Sequence, residues 1–223
     1  MKNFTIAILG LLINTLSCSA QTEKESINET WKHFTGDAEG AEKVDFNDKS
    51  WQTVNLPHTW NGVVAYSDKK YYRGVGWYHK NLNITQKYSG KQLFLHFEGV
   101  FLKASVYLNG KFVGEHKGGY TAFTFDISNF VSIPGINTIA VKVDSSKDLN
   151  LPPISGDYTM FGGIYRDVYL IATNEVHFDQ LNLGSSGVFI KTPLVNENAA
   201  TVKVRGSIFN DSNENKNLTI ISE

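Results

Sequence analysis

The chain has 223 residues, enough for one domain and part of a second. Its formal net charge is −1, with 19% charged residues and no Lys/Arg cluster, which excludes nucleic acid and an anionic membrane surface as expected partners. Aromatics at 13% and 19 glycines suit many short strands separated by turns, and they suit ring stacking on sugars equally well.

In chain order, Lys2 followed by the apolar run 4–13, too short to span a bilayer, reads as an export signal over residues 1–20. The protein is therefore expected to be periplasmic, secreted or on the cell surface. Two processing routes are open, cleavage after Ala20 or lipid attachment at Cys18. The second would anchor the protein to a membrane, but Thr15 stands where a lipobox has its Leu, which favours the lipid-free form. Cys18 is the only cysteine, so the mature domain has no internal disulfide. Residues 21–30 read as a polar leader.

From Trp31 onward the pattern is β, with no helical period. Leu93, Leu95 and Phe97 alternate with Phe94, His96 and Glu98, and Ala104, Val106 and Leu108 alternate with Ser105 and Tyr107. Asn109-Gly110 closes a hairpin into 111–115, because both residues accept the positive φ of the tight turn. Phe123, Phe125 and Ile127 form another alternating set, and 136–143 follows a turn at Pro134-Gly135. In the run SGDYTMFGGIYRDVYL at 155–170, Asp157 lies in a loop, Gly162 and Gly163 permit a sharp turn, and Ile164, Val168 and Leu170 share one side of the strand that follows. A new set of strand candidates begins near 174: 176–183, 187–191, 201–209 and 218–221.

Four blocks in order, LPHTWN at 56–61, YYRGVGWYHK at 71–80, LHFEGVFLKASVYLNGKFVGEHKGGYTAFTFDI at 95–127 and the 155–170 run, resemble the sugar-binding domain of glycoside hydrolase family 2, most closely that of β-galactosidases. The similarity covers 31–172. It implies an all-β chain: a galactose-binding-like jelly-roll sandwich over 31–173, then the start of an immunoglobulin-like sandwich over 174–223. The family continues into a barrel that carries two catalytic glutamates, one of them after an Asn. The pairs Asn28-Glu29, Asn174-Glu175 and Asn196-Glu197 sit in no strand–helix alternation, so no catalytic residue is assigned. The fragment by itself is expected to be inactive. Its second sandwich stops at about half of the roughly seven strands such a domain needs, which reads as truncation.

The resemblance further implies that a loop acid ahead of the strand-entry glycines borders the sugar site, and Asp157 occupies that place. Asn61, Tyr72 and Arg73 lie in family blocks whose loops are candidates for the same substrate-binding rim. The partners so implied are a β-linked galactoside or glycan and the catalytic barrel of the same chain. A free-standing carbohydrate-binding or adhesion module, and a β-glucuronidase-like enzyme, are the alternatives. No cofactor is expected, and the scattered histidines, His58 and His116 among them, read as loop hydrogen-bonders rather than metal ligands. Trp31, Trp51, Trp60 and Trp77 read as packing residues, and Arg166-Asp167 as a structural ion pair.

Overall fold

The computed structural model describes residues 22–62, 71–156 and 158–220. Residues 1–20, expected as an export signal and including Cys18, and Asp157 lie outside the described residues.

Two antiparallel sheets form the main sandwich. One has four strands: β1 (Thr22–Ser26), β10 (Val168–Thr173), β5 (Gln92–Phe97) and β8 (Phe123–Asp126), in that spatial order. The other has six: β3 (Gln52–Val54), β2 (Trp31–Thr35), β4 (Val75–Ile84), β9 (Gly135–Asp144), β6 (Lys103–Leu108) and β7 (Lys111–Lys117). The period-2 sets land as alternation demands. Leu93, Leu95, Phe97 and Leu170 from one sheet meet Tyr78, Ala104, Val106, Val141 and Val143 from the other in one buried core. Each Leu, Val or Phe among them contributes roughly 1.5–3 kcal/mol by leaving water. The hairpin turn is built as its sequence requires, with φ of 53° at Asn109 and 78° at Gly110.

Alternate residues of the six-stranded sheet face outward and are not bare. The segment 36–51 folds back over them, so that Ala41 and Trp51 pack against Trp77 and Ala140 in a second apolar cluster. His79 fastens this cover: Nε2 contacts the Ala41 carbonyl at 2.6 Å and Nδ1 the Asp48 carboxylate at 3.2 Å.

Several elements differ from expectation. Residues 22–26, anticipated as a polar leader, form the edge strand β1, paired along its length with β10. Nearly all of its side chains remain exposed, so the strand rests on backbone pairing and on the contacts of Glu23 with Lys91, Lys24 with Glu98 and Glu25 with Tyr88, and it shows no apolar alternation. Strand β10 begins at Val168 rather than Ile164, because Gly163 makes an isolated bridge to Phe101 before the ladder starts. Arg166 makes no ion pair with Asp167; Asn28 Nδ2 donates to Asp167 Oδ1 at 2.9 Å, and Asn28 Oδ1 accepts the Val168 N–H at 2.8 Å. Asn28, part of an Asn-Glu pair, is thus a clasp between chain start and β10.

Beyond Thr173, β11 (Val176–Phe178) pairs with β14 (Ile208–Asn210), and β12 (Val188–Val195) with β13 (Ala200–Gly206). Ile190, Val202 and Val204 are exposed there. Residues 218–220 form no strand, contrary to the sequence pattern, and Ile221 lies outside the described residues.

Candidate functional site

Three segments converge at the rim of the sandwich: 56–62, 71–74 and 158–164. Their junction is tight because glycine stands where a side chain would collide. A Cβ on Gly162 would sit 2.4 Å from the Trp60 ring, and one on Gly163 would sit 2.5 Å from the Tyr78 hydroxyl and 2.7 Å from the His58 carbonyl. Gly163 also has φ of 122°, a conformation that side chains oppose. The turn ahead of β10 therefore closes onto Trp60, His58 and Tyr78.

Asn61 ties the segments together. It is fully buried; its Oδ1 accepts the Gly162 N–H at 2.8 Å and its Nδ2 donates to the Tyr72 carbonyl at 3.0 Å. Trp60 Nε1 donates to that same carbonyl at 3.3 Å. Tyr71 adds a second tie, its hydroxyl accepting the Met160 N–H at 2.9 Å and donating to the Met160 carbonyl.

Below the rim lies a cluster of two imidazoles and two aromatic rings. His33 stacks on Trp60 at 5.6 Å and lies 4.7 Å from His58 and 4.6 Å from Tyr78. Burial, and then the neighbouring His58, lower the His33 pKa to about 4, and burial lowers that of His58. Neutral imidazoles fit the bonding. The Tyr78 hydroxyl, its pKa raised by burial, is hydrogen-bonded to His58 Nδ1 at 2.8 Å and accepts from the Ile164 N–H at 3.4 Å. His58 thus supports the turn from beneath. His116 stands on β7 rather than in a loop, bonded to Thr121 Oγ1 at 3.1 Å and stacked on Phe123.

On the open side, Tyr71, Tyr72, Tyr120, Tyr158 and Phe161 are each exposed. Tyr72 packs edge-on to Trp60, Tyr120 lies 5.7 Å from Phe101, and partial desolvation followed by a hydrogen bond with Tyr158 pushes the Tyr120 pKa up to about 12. The Tyr120 phenol therefore stays protonated at neutral pH. Arg73 donates from Nε to the Ser145 carbonyl at 2.9 Å and lays its guanidinium 5.9 Å from the Phe101 ring centroid, while its buried Nη2 has no hydrogen-bond partner. A buried donor without an acceptor costs on the order of 1–3 kcal/mol.

The sequence-derived candidates thus separate by position. Asn61 is enclosed, Tyr72 has its carbonyl in the clamp and its ring at the surface, and Arg73 carries an unused donor. The position of Asp157 lies outside the described residues, between Gly156 and Tyr158. The clamp itself was not visible in the sequence, since Asn61 and Gly162 are 101 residues apart. Three of the tryptophans are packing residues by burial, with Trp31 at 0%, Trp77 at 3% and Trp51 at 7% exposure, and Trp60 is part of the clamp. Among the described residues no group of three His, Cys, Asp or Glu side chains is placed to hold a metal ion.

Comparison with known proteins fits this construction. The chain is 37% identical over 197 residues to a β-galactosidase of Thermoanaerobacter pseudethanolicus, a match covering 83% of this chain and 26% of the relative. It is 36% identical over 204 residues to a β-glucuronidase of Bacteroides fragilis, covering 91% of this chain and 28% of that one. The crystal structure of a Bacteroides uniformis β-glucuronidase superposes with a TM-score of 0.83 at 46% identity, over 87% of this chain and 23% of the other. The chain spans about a quarter of the length of these relatives. The family described as glycosyl hydrolases family 2, sugar binding domain, matches residues 18–174, and the chain belongs to that family.

Proposed function

We propose that the whole protein is an exported retaining β-glycosidase and that this domain forms one edge of its sugar site. One observation carries the reading. Four exposed tyrosines, Tyr71, Tyr72, Tyr120 and Tyr158, lie on or beside the segments that the rim clamp joins. Such a surface offers flat aromatic rings and phenolic oxygens, and the proposed Asp157 carboxylate adds an acceptor for the hydroxyls of a pyranose. The catalytic pair belongs to residues beyond this domain. In the complete enzyme, one carboxyl attacks the anomeric carbon while the other, about 5 Å away, protonates the leaving oxygen and then activates water. Asp157 acts at the edge, where its carboxylate accepts from sugar hydroxyls, while Arg73 braces the rim from within through the Ser145 carbonyl and the Phe101 ring.

The sequence blocks around 118–123 and 155–168 favour a β-galactoside as substrate. A β-glucuronide is the second reading, supported by the 46% identity to the Bacteroides uniformis enzyme. The near-equal identities to the two curated relatives, 37% and 36%, leave the domain compatible with both. The test is kcat/KM of the complete protein on aryl β-galactoside and aryl β-glucuronide. A preference of at least about tenfold, or 1.4 kcal/mol in transition-state binding, identifies the sugar; turnover of neither removes the reading.

A further inference from the structure

The outer face of the six-stranded sheet carries a groove of about 470 Å³, a size typical of small-molecule clefts. Its floor is formed by the Trp77 and Tyr107 rings, stacked at 6.1 Å and 30°. Phe112, 56% exposed, stands edge-on to Tyr107 at 5.5 Å. The covering segment 37–42 makes one wall, with Asp37, Glu39 and Glu42 on it, and Lys142 completes the lining. Asp37 is fixed within the groove. Its Oδ2 accepts from Lys142 Nζ at 2.9 Å, and its Oδ1 accepts from Trp77 Nε1 at 2.9 Å and from the Ala38 N–H at 3.0 Å.

We propose that this groove is a second carbohydrate site, which binds a neutral pyranose unit of a glycan independently of the rim. Enclosing the Trp77 N–H requires one acceptor and explains one of the Asp37 bonds. It does not explain a partly buried Tyr107 ring, with the exposed Phe112 edge-on to it, at the base of an open groove with the Glu39 and Glu42 carboxylates beside it. A sugar uses that combination: the C–H face of the ring packs on Tyr107, and its hydroxyls donate to Glu39 and Glu42 and accept from the Lys142 ammonium. Three carboxylates against one ammonium set the charge preference, so a uronic acid is repelled where a neutral sugar is not. The groove is formed on β4, β6 and β9 by outward-facing residues, whereas the rim is held by Asn61, Gly162 and the inward-facing Tyr78. Occupancy of the groove therefore places the protein on a polysaccharide while leaving the rim free.

The test is affinity electrophoresis of the 223-residue chain in gels containing galactan, xyloglucan, mannan or polygalacturonate. The expected result is retardation by at least one of the three neutral polymers and none by polygalacturonate. Tyr107→Ala should weaken the retardation constant about tenfold, the loss of one well-packed ring. The double substitution Glu39→Gln and Glu42→Gln, on exposed or half-exposed positions with no role in the core, should weaken it about three- to tenfold and covers the case in which Tyr107→Ala fails to fold. Tyr72→Ala, at the rim, should leave it unchanged, which separates this site from the reading above. Free migration in all three neutral gels, stronger retardation by polygalacturonate, or wild-type retardation of folded Tyr107→Ala overturns the proposal.

Discussion

Asn61→Ala is the sharpest perturbation of the rim, because one small buried side chain holds two distant segments. The substitution deletes an acceptor for the buried Gly162 N–H at 2.8 Å and a donor to the Tyr72 carbonyl at 3.0 Å. The stranded N–H costs about 1–3 kcal/mol. The carbonyl loses less, because Trp60 Nε1 still donates to it at 3.3 Å. The total is about 2–4 kcal/mol, which for a domain of roughly 150 residues lowers Tm by about 5–15 °C. Thermal unfolding followed by circular dichroism measures it, with mild proteolysis locating the loosened segment. A Tm within about 1 °C of the parent protein would refute the clamp.

Three further outcomes follow from the same geometry. Gly163→Ala, at φ 122° with the Tyr78 hydroxyl and the His58 carbonyl inside contact distance, should cost about 3 kcal/mol or more in urea denaturation, whereas Gly90→Ala, at φ 74° with open space around it, should cost only about 1. The buried His33 has its pKa lowered from 6.5 to about 4, so the folded state resists protonation; its stability contribution is complete above pH 6.5 and is lost as pH falls towards 4. By linkage this is worth up to about 3 kcal/mol, and Tm measured from pH 7.5 down to 4.5 should fall less steeply in His33→Asn, while parallel slopes would show that His33 does not carry the effect. The 223-residue chain alone should not turn over aryl β-galactoside or β-glucuronide above a mock preparation, since the proposed catalytic pair is assigned to none of its residues.

Where structure is local, it was legible in the residues. The alternation at Leu93, Leu95 and Phe97 and at Ala104, Val106 and Leu108 became β5 and β6 with those residues in the core, and Asn109-Gly110 became the turn it encodes. Thr22–Ser26 was not legible as a strand, because an edge strand exposed on both sides carries no apolar period. The site was legible only in part. The glycines at 162 and 163 announced a tight turn, but nothing nearby in sequence names Asn61, Trp60 and Tyr78 as the surfaces against which it closes. The groove over Trp77 was hidden for the same reason, since it exists only when segment 37–42 lies back across β4 and β9. Arg166 misled by adjacency: Asp167 had a better partner in Asn28, 139 residues away.

The central claim is that Asp157 belongs to the edge of a sugar site, and the most direct measurement is kcat/KM of Asp157→Asn in the complete enzyme, taken together with its Tm. Charge-assisted bonds from sugar hydroxyls are worth roughly 1.5–3 kcal/mol each, so kcat/KM should fall about ten- to a hundredfold while Tm stays within about 1 °C. Unchanged kcat/KM in a well-folded Asp157→Asn enzyme would contradict the account.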